Sequence, residues 1–300
     1  MSCGLKCVRI VVVMPVGPGE DIDDTLESLR AFLDPSRAIV LVDDTGTDEL
    51  AATTARLPDV AVVPAPGRAQ GAHGGLWVKI AAGYAWACGR YRFDVLLRMD
   101  TDAVMLRPGI EDAALGRFHE SPGVGLLGSY LTGPDGRARD FTWAAKALGR
   151  EAGLLGWRHP RLRARLRALM REAAQSGYVP GEHALGGAFI HSGAAVRALS
   201  SRGLLDLPEM AASRLGEDMI FALLTLGAGF RIGDFGGPGD PLALRWIGLP
   251  DHPAALLAGS ALITHSVRSY GDLDEHAIRA QFAEARRNRG VAHGGEGPAL

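Results

Sequence analysis

Cysteine is scarce in this chain: three residues in 300, at Cys3, Cys7 and Cys88. An odd count without a framework of spacings excludes a disulfide scaffold, and Cys3 with Cys7 supplies too few ligands for a structural metal site. Read as reduced thiols, they lead us to expect a cytoplasmic protein. Long apolar runs are missing too, and no stretch approaches the roughly 20 residues that a membrane-spanning helix requires. The N-terminal run Val8 to Val16, which follows Lys6, is strand-length, β-branched and interrupted by Pro15. No small-residue cleavage pattern follows it, so it reads as a strand and not as a signal peptide. An excess of one charge is also lacking. The 32 Lys and Arg against 34 Asp and Glu leave a net −2, which argues against nucleic acid as a partner.

What is present is a full core: 47% hydrophobic and 22% charged residues, the proportions of an ordinary globular protein. The first hundred residues alternate strand-like and helix-like segments. Strands are expected at 8–16, 38–43, 60–63 and 93–99, and helices at 22–33, 48–57 and 76–89. Such alternation predicts a parallel sheet with helices on both faces, and ligands in such sheets sit at the carboxyl ends of the strands. Beyond Gly123 the pattern loosens. Strands are expected at 124–131, 186–191, 230–234 and at the end of 256–267, and helices at 217–226 and 274–287. With no repeat and no long linker, a single domain spanning 1–289 is expected, with a regular half at 8–105 and a variable half at 106–289. The glycine-rich residues 290–300 read as a disordered tail.

Two acidic clusters close expected strands. Asp43, Asp44 and Asp48 follow the second, and Asp100 and Asp102 follow the fourth. A carboxylate at the end of a buried strand is costly unless solvated, paired or bound to a cation. Alternate residues of an extended chain point the same way, so Asp100 and Asp102 can face one ion, and oxygen ligands suit Mg²⁺ or Mn²⁺. The plain alternative is a turn opened by aspartate.

The order of these motifs resembles the inverting GT-A glycosyltransferases of the family-2 kind. The first strand ends Val13-Met14-Pro15-Val16, the second Val42-Asp43-Asp44-Thr45-Gly46-Thr47-Asp48, and Gly74-Gly75-Leu76-Trp77-Val78-Lys79 follows. The resemblance implies a GT-A, Rossmann-like α/β fold, with 8–105 as its nucleotide-binding half and 106–289 as its acceptor half. It implies a nucleotide-sugar donor held by Pro15, Val16, Asp43, Asp44, Lys79 and Asp100, with UDP favoured over GDP and dTDP. It implies Mn²⁺ or Mg²⁺ on Asp100 and Asp102, with His265 as a late third ligand. Gly186 and Gly187 resemble the segment lining the sugar pocket, and Glu217-Asp218 the site of the catalytic base, with Asp218 the first choice and Glu217 the alternate. Acids in a first helical turn also simply complement the helix dipole. Arg268, three residues after His265, is placed to meet a phosphate. The acceptor is expected to be a small molecule or a lipid-linked sugar.

The arginine-dense segment Trp157–Glu172 reads as a solvated helix face over an apolar stripe of Leu162, Leu166 and Met170, with peripheral membrane contact as the alternative. Trp143, Trp157, Tyr178 and His183 are candidates for an acceptor platform. Two rival readings use the same residues. A haloacid dehalogenase-like phosphatase would take Asp100 as nucleophile with Lys146 and Glu217-Asp218 downstream, but Phe221 and Ala222 stand where it wants a further acid. A non-catalytic sugar-nucleotide-binding protein would keep the metal site and not need Asp218.

Overall fold

Alternation along the first strand decides how the chain layers. In the computed structural model, which describes residues 4–67 and 74–294, Val11 and Val13 of β1 (Lys6–Val16) enter one core while Ile10, Val12 and Met14 enter another. Burial on both faces is why the strand reads as one continuous apolar run. The chain continues through α1 (Asp23–Phe32), β2 (Arg37–Asp43), α2 (Glu49–Thr54), β3 (Val60–Pro64), α3 (Gly74–Arg90) and β4 (Tyr91–Met99). It then forms β5 (Ala103–Met105), α4 (Ile110–Glu120), β6 (Val124–Gly128), α5 (Thr142–Ala152), a 3₁₀ turn (Leu154–Arg158) and α6 (Pro160–Gln175). The remainder is β7 (Ala188–Ser192), α7 (Gly193–Ser201), a second 3₁₀ turn (Pro208–Ala212), α8 (Glu217–Gly227), β8 (Arg231–Asp234), β9 (Leu242–Leu244), α9 (Pro253–Ala258), β10 (Ile263–His265), β11 (Ser269–Tyr270), β12 (Leu273–Asp274) and α10 (Glu275–Gly294).

Seven strands form one sheet in the order β3-β2-β1-β4-β7-β6-β8, parallel except for β7, which is antiparallel to both neighbours. One face carries α3, α5, α6, α7 and α8 through residues such as Trp77, Tyr84, Leu148, Leu166, Val196 and Phe221; the other carries α1 and α4 through Leu29, Ile110 and Phe118. This is the mixed α/β, Rossmann-like architecture expected from the sequence. A second sheet, β5-β10-β9, lies under α10, whose Ile278 and Phe282 pack on Val104 and Val267. The third helix lies close on the sheet because Gly83 has no side chain: a Cβ there would meet methyl groups of Val13 and Val42 at 2.7 Å.

Four helices were not foreseen: α4, α5, α7 and α9. α4 has a weak apolar period and α9 is only six residues long, whereas α5 and α7 each bury one stripe built largely of alanine, Ala144, Leu148 and Ala152 in the one and Ala195, Val196 and Leu199 in the other. The antiparallel direction of β7 was not foreseen either. α10 runs to Gly294, past the expected end at Arg287 and into the expected tail; residues 295–300, like Cys3, lie outside the described residues. In α6 the expected stripe is present, with Leu162, Leu166 and Leu169 buried and Met170 partly so.

Candidate metal centre and catalytic cleft

Strand order reverses between β1 and β4, and in open α/β sheets the ligand crevice opens at that switch point. The Asp100–Asp102 turn follows β4 directly and is tied down on every side. The Thr101 carbonyl accepts from Thr25 Oγ1 at 2.7 Å and Arg279 Nη2 at 2.9 Å, and the Asp102 carbonyl accepts from the Val267 amide at 3.0 Å. Antiparallel pairing of β10 with β5 sets His265 opposite Ala103, and so beside Asp102. One ligand atom each from Asp100, Asp102 and His265 lie within 4.8 Å of one another.

The imidazole is oriented by its other nitrogen. His265 Nδ1 donates to the Arg245 carbonyl at 2.8 Å, which turns Nε2 toward Asp102 Oδ1 at 3.1 Å and Asp100 Oδ2 at 3.8 Å. A backbone acceptor behind a histidine of this kind is the usual outer support of a metal ligand. Ser266 Oγ donates to Asp102 Oδ2 at 2.7 Å, and Arg268 Nε approaches the same oxygen at 2.8 Å. Burial alone would raise the Asp102 pKa, yet His265, Ser266 and Arg268 together hold it well below the usual carboxylate range. Burial would lower that of His265, and the two aspartates outweigh it and push it up. Two carboxylates and an imidazole fit a divalent cation of the Mn²⁺ or Mg²⁺ class. Space for the ring exists only because residue 187 is glycine, at φ 92°: a Cβ there would lie 2.5 Å from His265 Nδ1.

Behind the aspartates lies Arg98, fully buried in β4 with its guanidinium 5.5 Å from the Phe189 ring centroid. Its Nη2 sits 2.8 Å from Asp100 Oδ1 and 2.8 Å from Glu217 Oε1. One buried cation thus joins the aspartate turn to the first residue of α8. Burial pushes the Glu217 carboxyl up to about 7; Arg98 pulls it down, while Asp218 and Asp100 push it further up. Asp218 beside it accepts the Gly186 amide at 3.0 Å on Oδ2 and the Met219 amide at 2.7 Å on Oδ1. His183 Nε2 stands 3.7 Å from Asp218 Oδ2 and accepts from Arg139 Nη2 at 3.1 Å, while its Nδ1 donates to the Gly181 carbonyl at 2.8 Å.

A single cleft of about 990 Å³ collects these groups. Pro15, Val16, Asp44, Lys79, Asp100, Asp102, Gly186, Gly187, Glu217, Asp218, His265 and Arg268 all line it. Lys79 pairs with Asp44, whose amide bonds the Val16 carbonyl at 2.9 Å. Asp43 is the exception among the expected site residues. It does not line the cleft, and its Oδ1 accepts the Thr45 amide at 2.8 Å and the Thr45 hydroxyl at 2.7 Å, an Asx turn that shapes the loop. Of the four candidates for an acceptor platform, Trp143 and His183 line the cleft, Tyr178 is buried in the core, and Trp157 lies outside it. Trp246, 80% exposed, lines the mouth with Trp143, 67% exposed, and sequence reasoning passed it over. It also passed over Arg98, although a charge inside the apolar run Val95-Leu96-Leu97-Arg98-Met99 was a visible signal. Lys146, which the phosphatase reading needs beside Asp100, is exposed on α5 and does not line the cleft.

No family model matches this chain, and no curated protein does. Among solved structures it is similar to the apo structure of WbbM, a bifunctional glycosyltransferase, at 12% identity and a TM-score of 0.48, covering 94% of this chain and 50% of that one. The chain therefore spans about half the length of that protein, and a likeness at this level carries no functional argument. Among the described residues, no helix is long and apolar enough to cross a membrane.

Proposed function

We propose that this chain is a glycosyltransferase, moving a sugar from a nucleoside diphosphate donor, UDP-linked by preference, to an acceptor hydroxyl with inversion. One observation carries the reading: the Asp100-Asp102-His265 cluster and the Glu217-Asp218 pair face the same cleft at the switch point of the sheet. The motif order along residues 8–105 supports it. In this reading residues 8–105 form the donor half and 106–289 the acceptor half of one domain.

A Mn²⁺ or Mg²⁺ ion on Asp100, Asp102 and His265 would neutralise the negative charge that gathers on a diphosphate leaving group. Arg268 has donors left over from its Asp102 contact for the same phosphates. Pro15, Val16, Asp44 and Lys79 bound the nucleoside end, with Asp43 acting through the loop that holds Asp44. Gly186 and Gly187, without side chains, leave room for the sugar between the aspartate turn and α8. Asp218 takes the proton of the acceptor hydroxyl as its oxygen forms the new bond to the anomeric carbon, and the bond from that carbon to the phosphate oxygen breaks on the opposite side. Glu217 is the alternate base, restrained by its tie to Arg98.

The test is incubation with UDP-, GDP- and dTDP-sugars plus Mn²⁺ and a panel of sugar and lipid-linked acceptors, read as nucleoside diphosphate released with product formed. Asp218→Asn is expected to lower turnover by roughly 10²- to 10⁴-fold, the worth of a general base, while leaving donor binding intact. Undiminished turnover in that variant contradicts the assignment of the base. Release of inorganic phosphate from sugar phosphates, with no transfer, would favour the phosphatase reading instead.

A further inference from the structure

The 3₁₀ turn Leu154–Arg158 holds no buried residue, although three of its five positions are large and apolar. Leu154 is 82% exposed, Leu155 71% and Trp157 65%. Single exposed apolar residues are ordinary, but three on one short turn form a patch that asks for a partner. The turn is held in place and not a frayed end. A Cβ at Gly156 would lie 1.9 Å from the Glu151 carbonyl oxygen, so only glycine fits the way it packs on the end of α5. Arg167 Nε caps that same end through the Ala152 carbonyl at 2.7 Å. Around the patch stand the exposed Arg150, Arg158 and Arg161, which make no ion pair with a carboxylate among the described residues.

We infer that this turn docks the protein on an anionic lipid surface, with Leu154, Leu155 and Trp157 entering the headgroup region and the arginines meeting lipid phosphates. Apolar side chains backed by cations have the composition of an interfacial anchor. The patch projects from a turn rather than lining a groove, which suits a deformable apolar phase better than a folded partner. A two-fold contact with a second copy would set the arginine cluster against itself. The docking surface stands apart from the cleft and does not depend on how the cleft is read. The two are linked by α5, which carries Trp143 at the cleft and spans 11 residues before the turn, a length of roughly 16 Å. Docking therefore brings the cleft close to the headgroups.

The experiment is co-sedimentation of the full chain with vesicles of phosphatidylcholine alone and of phosphatidylcholine mixed with phosphatidylglycerol, at low and high salt. Binding is expected to the mixed vesicles only, and to weaken as salt screens the arginines. Leu155→Glu with Trp157→Ala should weaken it by roughly tenfold or more, the loss expected for one apolar anchor. Arg158→Glu with Arg161→Glu should remove the preference for anionic lipid. All four positions are exposed, so the melting temperature should stay at the wild-type value, and nucleotide titrations should match wild type. Failure to sediment with mixed vesicles overturns the inference, as does unchanged sedimentation of the variants. A wild-type dimer in light scattering that becomes monomeric in Leu155→Glu overturns it in favour of a second copy.

Discussion

A guanidinium withdrawn from water is costly unless its neighbours are anionic, and Arg98 answers that cost with Asp100 and Glu217 on a single nitrogen. The arrangement still leaves Glu217 with a carboxyl that burial pushes from its ordinary 4.5 to about 7. The sign of the linkage follows. Between those two values the folded protein holds a proton that the unfolded chain has released, so the stabilising share is complete below the lower value and is lost as pH rises through the upper one. Urea unfolding across that window should show wild type losing stability with rising pH relative to Glu217→Gln; parallel profiles would contradict the raised carboxyl. This charge chemistry was only half legible. The acidic residues announced themselves at strand ends, but Arg98 shows its purpose only when Glu217, 119 residues away, packs against it.

At the scale of elements, the metal centre brings the turn between β4 and β5 together with β10 and α10 from the far end of the chain. The β5–β10 pairing supplies His265, the β4 turn supplies the aspartates, and α10 locks the turn through Arg279. Gly187 touches two of them: its carbonyl accepts the Asp100 amide at 2.8 Å, and its missing side chain leaves room for the His265 ring. Gly187→Ala introduces a Cβ into the imidazole at a positive φ, so it should displace His265 and weaken Mn²⁺ binding by roughly 10- to 100-fold, as loss of an orienting contact does. Titration of the variant with Mn²⁺ checks this, and wild-type affinity would remove His265 from the site. Arg279→Met should cost about 1–3 kcal/mol by stripping a charged donor from the buried Thr101 carbonyl. Urea denaturation reads that loss. His265 could be singled out as a candidate from a histidine closing an apolar strand. The register that delivers it could not, because strand pairing across such a separation leaves no local periodicity.

For the molecule as a whole, legibility divides near residue 105. Before it, strands buried on both faces write continuous apolar runs, and the helices between them write clear periods, so the parallel half and its acidic edges read directly from the chain. After it, burial remains visible while direction does not: β7 enters antiparallel between β4 and β6. The cleft spans both halves, from Asp44 and Lys79 across the aspartate turn to Asp218. Its function stands or falls on whether a nucleotide and a divalent cation bind there together. Calorimetric titration of UDP, GDP and dTDP, with and without Mn²⁺, into wild type and Asp102→Ala tests that directly. The account predicts binding of one nucleotide that depends on Mn²⁺ and is lost in the variant. Absence of binding by all three nucleotides, with or without the metal, would contradict it.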